Sequence, residues 1–259
     1  MEREKKIKEI QQEYQAADEQ MLPAFIEEYI RDGRPGVSKI IGQAQKRLEK
    51  MRKEEERLEQ LRYYEHLYEA DYPMICGIDE VGRGPLAGPV CAAAVILPKD
   101  CKIFYINDSK KLSESRREML YEEIMEKAIA VGIGMASPQQ IDEVNILQAT
   151  YIAMREAINE LQVCPDILLD DAVTIPEVAI KQVPIIKGDA KSVSIGAASI
   201  IAKVTRDRLM KEYDQIMPEY GFAQNKGYGT KEHIEALKQY GPSPIHRRSF
   251  IGHFTDGIQ

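Results

Sequence analysis

Residues 78–90 read Ile-Asp-Glu-Val-Gly-Arg-Gly-Pro-Leu-Ala-Gly-Pro-Val. A strand pattern over Met74–Val81 runs into this stretch. A second run, Val90-Cys91-Ala92-Ala93-Ala94-Val95-Ile96-Leu97, follows it and is almost wholly apolar. A strand apolar on both alternating faces is buried on both sides, which needs helices above and below a sheet. Between the two runs, Asp79 and Glu80 place neighbouring carboxylates at a strand end, and Gly82, Arg83 and Gly84 come next. Carboxylate oxygens suit hard divalent cations. A glycine-flanked arginine offers backbone N–H groups and a guanidinium to a phosphodiester. The combination points to metal-assisted chemistry on a nucleic-acid backbone. Adjacent residues of a regular strand face opposite ways. Asp79 and Glu80 therefore share a site only if the strand bends or ends there, and Gly82 permits such a bend.

Working outward, strand patterns recur at Ala130–Met135, Asp166–Asp170 and Gln182–Ile186. Helical patterns cover Ser115 to about Ala128, Asn145–Leu161, Val193–Met217 and Lys231–Tyr240, the first opened by a capping box at Ser115-Arg116-Arg117-Glu118. Strands interspersed with helices give an α/β domain with a mixed sheet. Two further acidic groups stand at strand ends: Asp170-Asp171 after Ile167-Leu168-Leu169, and Asp189 after Val183-Pro184-Ile185-Ile186. Aspartates are common at such junctions for turn chemistry alone. If the three acidic groups converge, their mutual repulsion calls for a cation.

Residues 1–70 have a different texture. Thirty of these seventy residues are charged, against 47 of the remaining 189. Ile40, Ile41, Leu48, Met51, Leu58 and Leu61 give one helical pattern from Val37 to about Tyr68, separated from a shorter one by Asp32-Gly33-Arg34-Pro35-Gly36. We expect a helical extension over 1–70 and a catalytic domain over 71–259. The formal net charge is −7, which weighs mildly against a nucleic-acid partner. Local basic stripes offset it: residues 31–53 hold eight Lys or Arg and residues 181–211 hold seven. No apolar run reaches the ~20 residues of a membrane span, and the charged start Met1-Glu2-Arg3-Glu4-Lys5-Lys6 is not a signal peptide. The scattered Cys76, Cys91, Cys101 and Cys164 fit reduced cytoplasmic thiols.

Five blocks together resemble bacterial ribonuclease HII, the type 2 ribonuclease H. They are Ile78–Val90; Asn107-Asp108-Ser109-Lys110-Lys111-Leu112; Leu168–Ala172 with Lys187-Gly188-Asp189; Ala197–Asp207; and Lys226-Gly227-Tyr228-Gly229-Thr230-Lys231-Glu232-His233. The resemblance covers about residues 73–250. It implies a ribonuclease H-like fold, a mixed sheet flanked by helices. It implies cleavage of RNA in RNA–DNA hybrids and of single ribonucleotides embedded in DNA, leaving 5′-phosphate and 3′-hydroxyl ends. The family's four metal-binding acids map to Asp79, Glu80, Asp171 and Asp189, holding two Mg²⁺ or Mn²⁺ ions. Asp170 stands where the family usually has an apolar residue. Asp171 is preferred because it directly precedes the small Ala172, as in the family motif.

In the same reading Gly82, Arg83, Gly84 and Tyr228 sense the ribose 2′-hydroxyl, while Asn107, Ser109, Lys110, Lys203 and Arg206 contact phosphates. His246 is read as a structural or surface histidine. The tail Phe250-Ile251-Gly252-His253-Phe254 is a weak candidate for a sliding-clamp contact. The expected protein is a cytoplasmic monomer with no membrane partner. Two alternatives stand beside this one. One is another two-metal nuclease of the same superfold. The other is a non-catalytic nucleic-acid-binding module whose acids serve only turns and caps.

Overall fold

The structure, a computed structural model, describes residues 5–255. Contacts divide the chain into two units, Met1–Gln60 and Leu61–Gln259. In the first, α1 (Ile7–Ala16), α2 (Leu22–Tyr29) and most of α3 (Pro35–Leu61) each bury one apolar stripe. Ile10, Leu22, Phe25, Tyr29, Val37, Ile40 and Ile41 form the core. The Tyr29 hydroxyl lies 2.6 Å from Glu13 and 2.7 Å from Lys5 Nζ. Pro35 opens α3, a position where its missing N–H has no partner to lose. The single helix expected from Val37 to Tyr68 is two: α3 ends at Leu61, and α4 (Tyr63–Tyr68) restarts after Arg62, whose ψ of 8° leaves the helical range.

The second unit is built on one five-stranded sheet. Its strands are β1 (Ile75–Val81), β2 (Val90–Ile96), β3 (Ala130–Ala136), β4 (Ile167–Asp171) and β5 (Lys181–Ile185), in the order β3-β2-β1-β4-β5. β1 pairs antiparallel with β2 and parallel with β4. The sheet is therefore mixed, as the alternation of patterns predicts, and β2 is buried along its whole length. Between β2 and β3 lies α5 (Glu114–Lys127), and α6 (Pro138–Asn159) follows β3. After β5 come α7 (Val193–Ile216), the short α8 (Phe222–Asn225), α9 (Lys231–Tyr240) and α10 (Arg248–Thr255).

The two long helices cover opposite faces. α6 buries Ala149, Ala153, Met154 and Ala157 with Cys76, Ile78, Ala92, Ala94 and Leu168. α7 packs against the other face, where Ile195 meets Ile75, Ile167 and Leu169. Gly77 sets how closely α7 lies on β1, since a Cβ there would stand 2.1 Å from the Ser194 backbone carbon. Among the described residues no helix is long and apolar enough to cross a membrane.

Two helix starts differ from the sequence reading. The cap of α5 is Ser113, whose Oγ accepts from Arg116 N, not Ser115. α6 begins seven residues earlier than expected, because Ser137 and Gln140 form a capping box. Asn145 (φ 70°) then kinks the helix, and its own Oδ1 accepts from Leu147 and Gln148, which imitates a fresh helix start. α8 and α10 are too short to leave a periodic signal.

Candidate active site

Register decides which acids meet. Ile78 and Asp170 are partners across the parallel β1/β4 pair. Asp79 and Asp171, the next residues, therefore stand level on adjacent strands and share the α7 face. β4 ends there, because Ala172 takes a left-handed conformation (φ 59°). Asp189 arrives from the turn after β5. Gly188 N donates to Asp171 Oδ1 at 2.8 Å, so Asp189 follows directly on a residue fastened to Asp171. Glu80 lies one residue before the end of β1, and Gly82 (φ 91°) turns the chain immediately after. The expected bend does not fall between Asp79 and Glu80: β1 stays paired with β2 through Val81, and the turn at Gly82 comes after both acids.

The electrostatics bear the marks of crowding. Burial raises the Asp79 carboxyl well above the usual range, and Glu80 and Asp171 beside it push the same way. Only hydrogen bonds from Ser199 and the Glu80 N–H oppose the shift. Glu80 is raised by burial and held back by Arg83, whose guanidinium lies 3.3 Å away. Asp189 is raised by burial, then by Asp108 and Asp171, while Lys110 lowers it. The buried Glu80 Oε2 has no hydrogen-bond partner among the described residues. Four hard oxygen donors that repel one another, one of them unpartnered, suit a divalent cation such as Mg²⁺ or Mn²⁺. Among the described residues, no three His, Cys, Asp or Glu groups are gathered tightly enough to grip one ion as they stand.

Asp170 has the opposite fate. It is fully buried on the α6 face, and neither carboxylate oxygen has a hydrogen-bond partner among the described residues. Burial alone pushes its carboxyl up to about 7.

Beside the acids lies the glycine loop, held from beneath by two buried arginines. Arg247 donates from Nε to Gly88 O, from Nη1 to Arg83 O and from Nη2 to Gly82 O. Arg206 donates to Pro89 O, Ala87 O and Lys226 O. Arg206 was expected at a phosphate. Instead it is wholly buried, with its guanidinium spent on backbone carbonyls that have no other way to be satisfied. Arg247 was missed, because its neighbours His246 and Arg248 make the segment read as polar surface. Arg83 and Gly84 are exposed. Tyr228 is 44% exposed, and a Cβ on Gly84 would stand 3.8 Å from its Cε1. The two stretches expected to face the ribose are therefore brought together.

The remaining candidates divide. Lys110 is exposed, and Asn107 is half-buried with its Oδ1 accepting from Asp108 N. Ser109 is buried and its Oγ lies 2.9 Å from Ser199 Oγ, behind Asp79. Lys203 is largely covered and paired with Asp207 at 2.7 Å. Phe250 packs against the α6-face core and Ile251 is buried, so two of the tail's three apolar residues are already used.

Comparison with known proteins decides the family. The Ribonuclease HII family model matches residues 76–253, and the Ribonuclease HII N-terminal domain model matches residues 6–69. The chain belongs to the ribonuclease HII family. The ribonuclease HII of Lachnoclostridium phytofermentans is 63% identical over 250 residues, covering 96% of this chain and 98% of that protein. That of Clostridioides difficile is 52% identical over 249 residues, with the same coverage. Among solved structures, a chain of the PCNA:RNase HII complex from Archaeoglobus fulgidus superposes with a TM-score of 0.58 at 29% identity, over 70% of this chain and 96% of that one. As a ribonuclease HII, the chain is an endonuclease of the ribonuclease H class, on the mixed α/β sheet its sequence predicts.

Proposed function

We propose that this ribonuclease HII cuts the RNA strand of RNA–DNA hybrids and incises duplex DNA 5′ of a single embedded ribonucleotide. The observation that carries the reading is the level placement of Asp79 and Asp171 on adjacent strands, beside the Gly82–Gly84 loop and Tyr228. Asp79, Glu80, Asp171 and Asp189 hold two divalent cations, Mg²⁺ or Mn²⁺. Cations held by these carboxylates would supply an activated water and charge stabilisation for a departing 3′ oxygen, a hydrolysis that would leave 5′-phosphate and 3′-hydroxyl ends. Asp79 is the most enclosed of the four. Ser199 steadies its carboxylate from α7 and is itself backed by Ser109.

Gly82, Arg83 and Gly84 present backbone groups to the 2′-hydroxyl, and the Tyr228 ring stacks on the adjacent sugar. Exposed Lys110 and Arg83, with Asn107, contact phosphates, whereas Lys203 is held in its ion pair with Asp207. Arg206 and Arg247 shape the loop and do not touch substrate. Residues 1–70 form a helical extension and 71–259 the catalytic domain. The relative solved with PCNA supports a clamp partner for the protein, although Phe250 and Ile251 of the tail are packed into the fold.

The test is incubation of the protein with a duplex carrying one ribonucleotide, with Mg²⁺, with chelator, and beside an all-DNA duplex. A Mg²⁺-dependent nick 5′ of the ribonucleotide is expected. Cleavage of the all-DNA duplex, or none of either, rejects the reading.

A further inference from the structure

Two histidines lie buried in the second unit, outside the acidic cluster. His233 is 0% and His246 2% exposed, and their Nε2 atoms are 3.0 Å apart. The partners assign every proton. His233 Nδ1 sits 2.8 Å from the carbonyl oxygen of Tyr228, which only accepts, so Nδ1 carries the hydrogen and Nε2 is bare. His246 Nε2 must then donate to it, which leaves His246 Nδ1 to accept from Ser243 N at 3.0 Å and to face Ser243 Oγ at 2.7 Å. Both rings are neutral. Burial lowers the affinity of each for a second proton, to a pKa of about 4 for His246. Tyr220 and Phe222 enclose the pair, with ring centroids 5.0 Å from His246 and 5.4 Å from His233 respectively.

The ends of this chain of bonds matter. One end holds the backbone of Tyr228. The other belongs to the 243–248 segment, which is stitched to the glycine loop: Gly88 N donates to Ile245 O, Arg247 N donates to Leu86 O, and Ala87 bridges His246. The loop is also joined directly to the tyrosine segment by Leu86 N donating to Gly227 O at 2.8 Å. Three segments far apart in sequence thus close a triangle, and the histidine pair is its third side. Two imidazoles in an aromatic enclosure are costly unless paired, yet a fully apolar pair would fill the same volume without reaching Tyr228.

We propose that the His233–His246 pair is a positioning element for ribose recognition, fixing the Tyr228 ring at its distance from the Gly82–Gly84 loop. The inference rests on the reading that Tyr228 and this loop contact the nucleotide. Neither histidine touches substrate; both act through Tyr228.

The experiment is a double-mutant cycle on the full chain with Mg²⁺, measuring kcat and KM on a duplex with one ribonucleotide. Expected are a rise in KM of about tenfold for His233→Ala, little change in kcat, and no further rise when His233→Ala is added to Tyr228→Ala. His233→Asn, which keeps an N–H donor at the Nδ1 position but loses the bond to His246, restores KM only in part, and His233→Gln, which offers its amide at the Nε2 position, does not restore it. This isosteric pair decides the question if His233→Ala melts below assay temperature. An equal loss in wild-type and Tyr228→Ala backgrounds, or equal behaviour of the Asn and Gln variants, overturns the proposal. If Tyr228→Ala weakens recognition and His233→Ala, His233→Asn and His233→Gln do not, only the histidine role fails. If Tyr228→Ala changes nothing, the reading of Tyr228 fails and takes this proposal with it.

Discussion

Asp170 and Asp171 differ by one position on β4, and a strand's period of two sends them to opposite faces. Asp171 joins Asp79 under α7; Asp170 enters an apolar core with no hydrogen bond among the described residues. The family motif favours Asp171, and the register supplies the physical reason for that preference. Asp79→Asn tests the site's chemistry: it removes a charge from the most enclosed carboxylate. We expect kcat with Mg²⁺ to fall by at least ~10³-fold, with affinity for the ribonucleotide-bearing duplex retained, as gel shift in chelator will check. Arg206→Met tests the corrected role of that arginine. It strands three buried carbonyls at about 1–3 kcal/mol each, so the urea midpoint should drop sharply. The slope of log K against log salt should hold for Arg206→Met and fall for Lys110→Ala. A lower slope for Arg206→Met would return it to the phosphates.

At the scale of elements, α7 is what ties the sheet to the site. Its first turn is seated on Gly77, and Ser199, about a turn and a half further on, lies close enough to Asp79 to favour its ionised form against burial. Ser192 caps the helix, and the buried Glu65 accepts from Ser192 Oγ at 2.5 Å and Ser194 N at 3.0 Å. A carboxylate at a helix N-terminus favours the dipole as well as the free N–H groups. Gly77→Ala puts a Cβ against the Ser194 backbone, which has no room to yield without lifting α7. We expect a loss of at least ~2 kcal/mol in chemical denaturation together with reduced kcat, because Ser199 moves with the helix. Unchanged activity in a destabilised variant would separate helix seating from catalysis.

For the whole molecule, buried acids govern the pH dependence of stability. Asp170 has its carboxyl raised from 3.8 to about 7. The folded state then holds an extra proton between those values, so stability is highest on the acid side and falls as pH rises from about 4 to 7. The full effect is on the order of 4 kcal/mol. Asp79, Glu80 and Asp189 are raised by burial and act in the same direction when no cation is bound. In chelator, Asp170→Asn should therefore be more stable than the parent at pH 8 and nearly equal to it at about pH 3, below the ordinary carboxyl value, by urea midpoint. Adding Mg²⁺ should raise the melting temperature of the parent by binding the folded state alone, and Asp79→Asn should blunt that rise. An equal rise in the variant would place the cation elsewhere.

Local order was legible because it is written locally. The double-sided apolar run of β2, the charged helices of residues 1–70, the glycine loop and the acids at three strand ends all follow from neighbours within a few positions. What no local pattern carries is which strand end lies beside which. Parallel pairing of β1 with β4 sets Asp79 level with Asp171, and that register is fixed by side chains about ninety residues apart. For the same reason Arg206 read as a phosphate ligand and His246 as a lone histidine. Their partners, the carbonyls of the glycine loop and the ring of His233, come within reach only when the chain has folded.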